Sequence, residues 1–129
     1  MSSHILDASA LLASLHREPG ADQVEEVVAR GEGAISAVNL SEVVSRLADR
    51  GMPEAQIRGE IDSAGLDVVP FDSELAYSAG LLRPATRRWG LSLGDRACLA
   101  LARQRGLPAM TADRTWAELS LGVPIQVIR

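Results

Sequence analysis

The residues of this sequence best placed for chemistry are four carboxylic acids, Asp7, Glu42, Asp95 and Asp113. Asp95 is the most telling. It follows Gly94 at the head of the run Leu91-Ser-Leu-Gly-Asp95-Arg-Ala-Cys-Leu-Ala-Leu-Ala102. That run reads as a helix with no polar face of any width between Ala97 and Ala102, and hence as buried. An acid suits the first turn of a helix because its charge meets the positive end of the helix dipole. A carboxylate at the mouth of a buried helix is nevertheless costly unless a partner or a metal meets it. Asp7 and Asp113 each stand at the exit of a short apolar segment that reads as a strand. Glu42 falls off the apolar stripe Leu40, Val43, Val44 and Leu47 of its own helix. Singly, each acid has a plain structural reading: Asp7 and Asp113 as helix caps, Asp95 as a dipole partner, Glu42 as solvated surface. Four together, two of them at strand exits, favour a shared site.

Hard oxygen ligands with no thiol or imidazole beside them select Mg²⁺ or Mn²⁺ over zinc. Magnesium is held by one or two carboxylates, several waters and substrate phosphate oxygens. Two such ions about 3.5–4 Å apart activate a water and stabilise the leaving oxygen in phosphodiester hydrolysis. Ser9 and Thr111 flank the acids, and their hydroxyls suit a supporting role. The alternative for each is a local backbone cap.

The elements that must position these groups follow from periodicity and punctuation. Strands are expected over Ser3–Asp7, Gly33–Ser36, Leu66–Phe71, Pro108–Thr111 and Pro124–Ile128. A first helix opens at Ala8 and stops at Pro19-Gly20; a second spans Asp22–Arg30. A third runs from Val38 or Asn39 to Arg50, capped by Gly51. A fourth starts at Pro53, at its favoured first-turn position, and ends at Gly65. Asp72–Trp89 is helical with a bend near Pro84, the Asp95 helix ends at Gly106, and Arg114–Leu119 is a short helix. Strands alternating with helices imply an α/β fold, a five-stranded, mainly parallel sheet covered on both faces. In such sheets the site lies beyond the carboxyl ends of the strands, where the strand order reverses. If the first and fourth strands are neighbours, about 4.8 Å apart, Asp7 and Asp113 converge.

The 129 residues are expected to form one domain with a sizeable core. The single cysteine, Cys98, lies in the apolar helix, which excludes an internal disulfide and fits a reducing cytoplasm. No apolar run reaches the roughly 18 residues of a membrane span, and Met1–His4 lacks the basic start of a signal peptide. The net charge of −4 is unevenly spread: residues 1–82 hold 5 arginines and 14 acids, net −9, and residues 83–129 hold 8 arginines and 3 acids, net +5. The second part carries Arg83, Arg87, Arg88, Arg96, Arg103, Arg105 and Arg114, and the chain has no lysine. Arginine clusters suit bidentate phosphate recognition, or merely solvate helix surfaces. Without lysine there is no phosphate-binding P-loop, no response-regulator receiver and no haloacid-dehalogenase phosphatase. Gly31-Glu-Gly33 lacks the third glycine of a dinucleotide fingerprint. His4 and His16 are not placed as a ribonuclease acid–base pair and read as structural or surface residues; Cys98 reads as core.

In order and spacing, Ile5-Leu-Asp7-Ala-Ser9-Ala, Ile35-Ser-Ala-Val-Asn-Leu-Ser-Glu42-Val-Val, Leu91-Ser-Leu-Gly-Asp95-Arg-Ala-Cys-Leu-Ala and Thr111-Ala-Asp113-Arg-Thr-Trp116 resemble the motifs of PIN-domain proteins, specifically the VapC toxins of type II toxin–antitoxin pairs. The resemblance spans essentially the whole chain. It implies a PIN-like three-layer fold, residues 1–129 as a single PIN domain, and Asp7, Glu42, Asp95 and Asp113 as metal-binding acids supported by Thr111. It further implies an Mg²⁺- or Mn²⁺-dependent endoribonuclease acting on tRNA- or rRNA-like targets, a homodimer, and inhibition by a cognate VapB antitoxin. Two departures stand out: Trp116 where Phe is frequent, and Arg96, larger and more charged than expected beside Asp95. Arg96 and Arg114 are the expected RNA contacts. The alternative function is an RNA- or partner-binding module of weak catalytic power whose acids hold a structural ion. Leu75, Ala79 and Leu82, read as exposed, are the expected dimer surface.

Overall fold

The computed structural model describes residues Met1–Arg129. Its sheet has five strands: β1 (His4–Leu6), β2 (Gly33–Ser36), β3 (Asp67–Val69), β4 (Ala109–Thr111) and β5 (Ile125–Val127). All four pairings are parallel, in the order β3-β2-β1-β4-β5. The expected strands are all present, trimmed by one to three residues in all but β2, which matches its expected span. The helices are α1 (Ala8–Leu15), α2 (Ala21–Ala29), α3 (Ala37–Asp49), α4 (Glu54–Ser63), α5 (Ser73–Leu81), α6 (Arg83–Thr86) and α7 (Leu93–Arg105). The segments Arg87–Trp89 and Arg114–Glu118 are 3₁₀ turns. The expected bend near Pro84 is a break at Leu82 into α5, α6 and the first of these turns. No helix is long and apolar enough to cross a membrane.

Strand side chains alternate between two cores, as the two-residue period of a strand requires. Ile5, Ala34 and Ala109 face one side, where they meet Leu75, Ala79 and Leu82 of the α5 region, the buried run of α7 and Trp116. Leu6, Ile35 and Met110 face the other, with Ala10 and Leu11 of α1, Val24 and Val27 of α2, and Val43 and Leu47 of α3. Ala97 to Ala102 of α7 are all buried, as the absence of a polar face predicts. Cys98 is a fully buried free thiol.

One expectation is overturned. Leu75, Ala79 and Leu82 are not exposed but fall at 2%, 0% and 4% accessibility. Their i, i+4, i+7 spacing is the inward stripe of α5, packed in the same core as α7. The apolar side chains that α5 leaves in solvent are Tyr77 and Leu81, at 71% and 76%.

The carboxyl-terminal segment packs against Gly20, between α1 and α2. Gly20 has φ +92°, and a methyl group there would run into the Ile128 carbonyl. Gly31 has φ +69° with nothing within 4 Å of the corresponding position. Gly20→Ala is expected to cost about 2 kcal/mol and Gly31→Ala about half that, since only the first adds a backbone collision to left-handed strain. Urea unfolding of both variants checks this; equal losses would show that the Ile128 contact carries no weight.

Candidate active site

The strand order reverses beside β1, so β1 and β4, remote in sequence, leave the sheet side by side. Asp7 follows β1, Asp113 follows β4, Glu42 is on the second turn of α3 and Asp95 on the first turn of α7. All four line one cavity of about 400 Å³, together with Ser9, His16, Glu18, Asn39, Arg46, Arg50 and Arg129; Ala8 and Leu12 are its only apolar lining.

Each acid is held by a different local device. Asp7 is 5% exposed. Its Oδ1 accepts from the Ser9 hydroxyl (2.6 Å) and the Ala10 amide (2.9 Å), and its Oδ2 accepts from the Thr111 hydroxyl (2.8 Å). The same two hydroxyls accept from the Ala112 and Asp113 amides, at 2.9 and 3.0 Å. Ser9 and Thr111 thus tie the exit of β4 to the Asp7 carboxylate. Glu42 Oε1 accepts from Asn39 Nδ2 (2.8 Å), which also donates to the Gly94 carbonyl (2.9 Å) and so links α3 to α7. Gly94 packs directly under this carboxylate: a methyl group there would collide with both Glu42 oxygens. Asp95 forms a capping box with Ser92, its Oδ2 accepting from the Ser92 amide at 2.9 Å. Asp113, at the exposed rim, caps the following turn through Oδ1, which accepts from the Thr115 amide and hydroxyl.

The capping readings of Asp7, Asp95 and Asp113 are therefore true of the structure, and they do not exhaust these groups. Glu42, Asp95 and Asp113 each engage one carboxylate oxygen in the protein and keep the other without a protein partner. Asn39 Oδ1 is also buried and unpartnered. These are hard oxygen donors on one polar cavity, the set that Mg²⁺ or Mn²⁺ prefers. No group of three or more His, Cys, Asp or Glu side chains forms a ready-made ion cage. Magnesium sites ordinarily complete their shell with water and substrate, so the residues present fit such an ion.

The expected arginines lie elsewhere. Arg96 turns away from the cavity and donates from Nη1 to the Ala79 carbonyl (2.9 Å), with its Nε buried and unpartnered. Arg114 is exposed and donates from Nε to the Arg129 carbonyl (2.9 Å). Neither lines the cavity, whose cations are Arg46, Arg50 and Arg129. Of the histidines, His4 bonds to Gln126, whereas His16 lines the cavity beside Arg50. Asn39, Arg46 and Arg50 were detectable: with Glu42 they recur at intervals of three and four, a polar stripe beside the apolar one of α3.

Residues 4–121 match the family model of the PIN domain. The chain belongs to the PIN-domain family. No curated protein matches it significantly. Among solved structures, this PIN domain is similar to DNA-bound VapBC from Salmonella typhimurium, with 21% identity, TM-score 0.78 and all of both chains covered. It is also similar to VapBC2 from Rickettsia felis bound to a promoter DNA fragment, with 15% identity, TM-score 0.73 and 96% and 97% covered. A toxin–antitoxin complex from Klebsiella pneumoniae has 19% identity, TM-score 0.73 and 98% of each chain covered.

In this PIN domain the Asp7 carboxyl is pushed up to about 6, chiefly by burial, with a smaller contribution from the nearby Asp95 charge. The bonds from Ser9, Ala10 and Thr111 act in the opposite direction and only partly offset it. A folded value above the unfolded one of about 3.9 means that ionised Asp7 opposes folding. The stability it withholds is fully present below pH 4 and lost as pH rises through 6, on the order of 3 kcal/mol. In chelator, Asp7→Asn is expected to melt above the parent protein at pH 7.5, with the gap closing by pH 4. Thermal melts across that range check this; a variant less stable than the parent at pH 7.5 would refute the desolvation account.

Proposed function

We propose that this PIN domain, acting as a single unit over residues 1–129, is a VapC-type ribonuclease toxin of the cytoplasm: a Mg²⁺- or Mn²⁺-dependent endoribonuclease with a tRNA- or rRNA-like target, neutralised by a cognate VapB-type antitoxin. One observation carries the reading. Four carboxylates from β1, α3, α7 and β4 meet on one cavity at the carboxyl ends of the central strands, three of them with an oxygen to spare. The likeness to VapBC and other toxin–antitoxin structures supports the partner.

Asp7, Glu42, Asp95 and Asp113 would hold one or two ions, which when bound would neutralise phosphate charge and activate water. The chain's own part is to orient. Asn39 and Gly94 set Glu42, Ser92 sets Asp95, and the Ser9–Thr111 pair sets Asp7. Water attacks phosphorus and the P–O3′ bond breaks, leaving a 5′-phosphate and a 3′-hydroxyl. His16 is the only histidine on the cavity, so no imidazole pair stands ready to drive attack by the ribose hydroxyl.

Incubation of total RNA with the purified protein in Mg²⁺, Mn²⁺ or chelator tests this. Cleavage is expected to need the ion and to fall at least about 100-fold in Asp95→Asn while the fold persists. Products ending in 2′,3′-cyclic phosphate would falsify the hydrolytic scheme. An Asp95→Asn change that alters stability and leaves turnover intact would favour a structural ion instead.

The exposed Tyr77 and Leu81, with Ala76 and Gly80, form a shallow apolar surface of the kind a second copy covers. The expected homodimer is therefore assigned to this face, from which higher toxin–antitoxin assembly would build. By sedimentation at micromolar concentration the protein is expected to be dimeric and Leu81→Asp monomeric. A monomeric parent protein would rule the dimer out.

A further inference from the structure

The three arginines on the acid cavity are not equivalent. Arg129 is committed, its Nη1 reaching Glu18 (3.4 Å) and the Pro19 carbonyl (3.2 Å). Arg46 and Arg50 form no ion pair, although five acids, Glu18 among them, share their cavity. Arg50 rests instead on the His16 ring, one guanidinium nitrogen lying 3.4 Å from Nδ1 and 3.2 Å from Nε2. This neighbour is an imidazole and not a carboxylate, so the contact leaves the arginine without an acid partner. Arg46 of α3 and Arg50, which caps its carboxyl end, follow Glu42 at i+4 and i+8, so the three side chains climb one face at about 6 Å per step. Two unneutralised guanidinium groups, spaced outward from a cluster of acids, suit a ligand with repeated negative charge.

We propose that Arg46 and Arg50 form a phosphate track that leads away from the four acids and holds the RNA backbone beside the bond to be cut, with His16 fixing the Arg50 side chain. The track rests on the ribonuclease reading of the same cavity. Both arginines are positioning residues, since the phosphates they grip do not react. The competing account places them at the carboxyl end of α3 only to meet the helix dipole. It predicts a slight loss of stability on their removal and no change in RNA binding.

The test reads binding without turnover. The full chain carrying Asp95→Asn is titrated, in chelator and across a salt series, against a fluorescein-labelled RNA oligonucleotide of mixed sequence. Arg46→Ala and Arg50→Ala are each expected to weaken binding roughly tenfold, the size of one lost charge-assisted contact. Each should also lower the slope of log affinity against log salt by about 0.7, the loss of one single-strand phosphate contact. Arg50→Lys should restore most of the slope, because it restores the charge. Arg46→Gln and Arg50→Gln, neutral and close in size, repeat the measurement should either alanine variant melt early. In cleavage by the chain with native Asp95, the arginine variants should raise KM and leave kcat within about twofold, the signature of lost uniform binding. Unchanged affinity and slope in the neutral variants, or no RNA binding by the Asp95→Asn chain at low salt, overturns the track. The two readings fail separately. RNA bound through Arg46 and Arg50 but never cut with either ion removes the ribonuclease and leaves an RNA-binding track. RNA cut with unchanged KM after both arginines are neutralised removes the track and leaves the ribonuclease.

Discussion

The functional end of this protein depends on one buried carboxylate. Asp7 ends the central strand, caps α1 and receives the Thr111 hydroxyl from β4, so a single side chain joins the two strands at which the sheet order reverses. The arrangement is expensive. Three hydrogen bonds and a position at a helix amino terminus still leave the acid titrating near 6, because burial outweighs them. A serine or asparagine cap would hold α1 as well without that cost. Under the proposed function a cation stands opposite this charge, and the same burial that destabilises it strengthens the attraction.

Capping and catalysis are often set against each other as explanations of an acid at a helix or strand end. Under the proposed function they are the same arrangement. A carboxylate has two oxygens, and a cap needs one. Asp95 turns Oδ2 to Ser92 and Asp113 turns Oδ1 to Thr115, and in each case the bonded oxygen fixes the direction of the free one. Glu42, mid-helix with no cap to make, uses Asn39 for the same purpose. Preorganisation of this kind limits the side-chain freedom that must be lost when a ligand arrives.

Most of the fold and the four acids were legible in the sequence because their signals are local. Glycine and proline punctuate the elements, α7 is apolar all round, and an acid after a short apolar strand is visible one residue at a time. What was not legible depends on which way a helix is turned. Arg96 adjoins Asp95 in sequence but lies about 100° further round α7, and so faces α5 rather than the cavity. The density of arginine after residue 83 likewise says nothing of direction: Arg88 lies over the Trp89 ring and Arg105 beside Asp67, while the cavity draws Arg46 and Arg50 from the acidic part of the chain. For α5 the error was one of phase. Leu75, Ala79 and Leu82 form a clean helical stripe, and such a stripe marks the buried face, which leaves Tyr77 and Leu81 outside.

Gly94 joins these levels. Glycine is a poor helix former compared with alanine, and Gly94 gains nothing from left-handed backbone freedom, since its φ is not positive. Its use is absence. Without a Cβ, α7 approaches α3 closely enough for the Glu42 carboxylate to lie on the Gly94 backbone, and for Asn39 to bond to both Glu42 and the Gly94 carbonyl. That approach puts Glu42 and Asp95, from two helices on opposite faces of the sheet, on one cavity. The Gly-Asp pair therefore divides the work: the aspartate contributes an oxygen, and the glycine makes room for the oxygen of another residue.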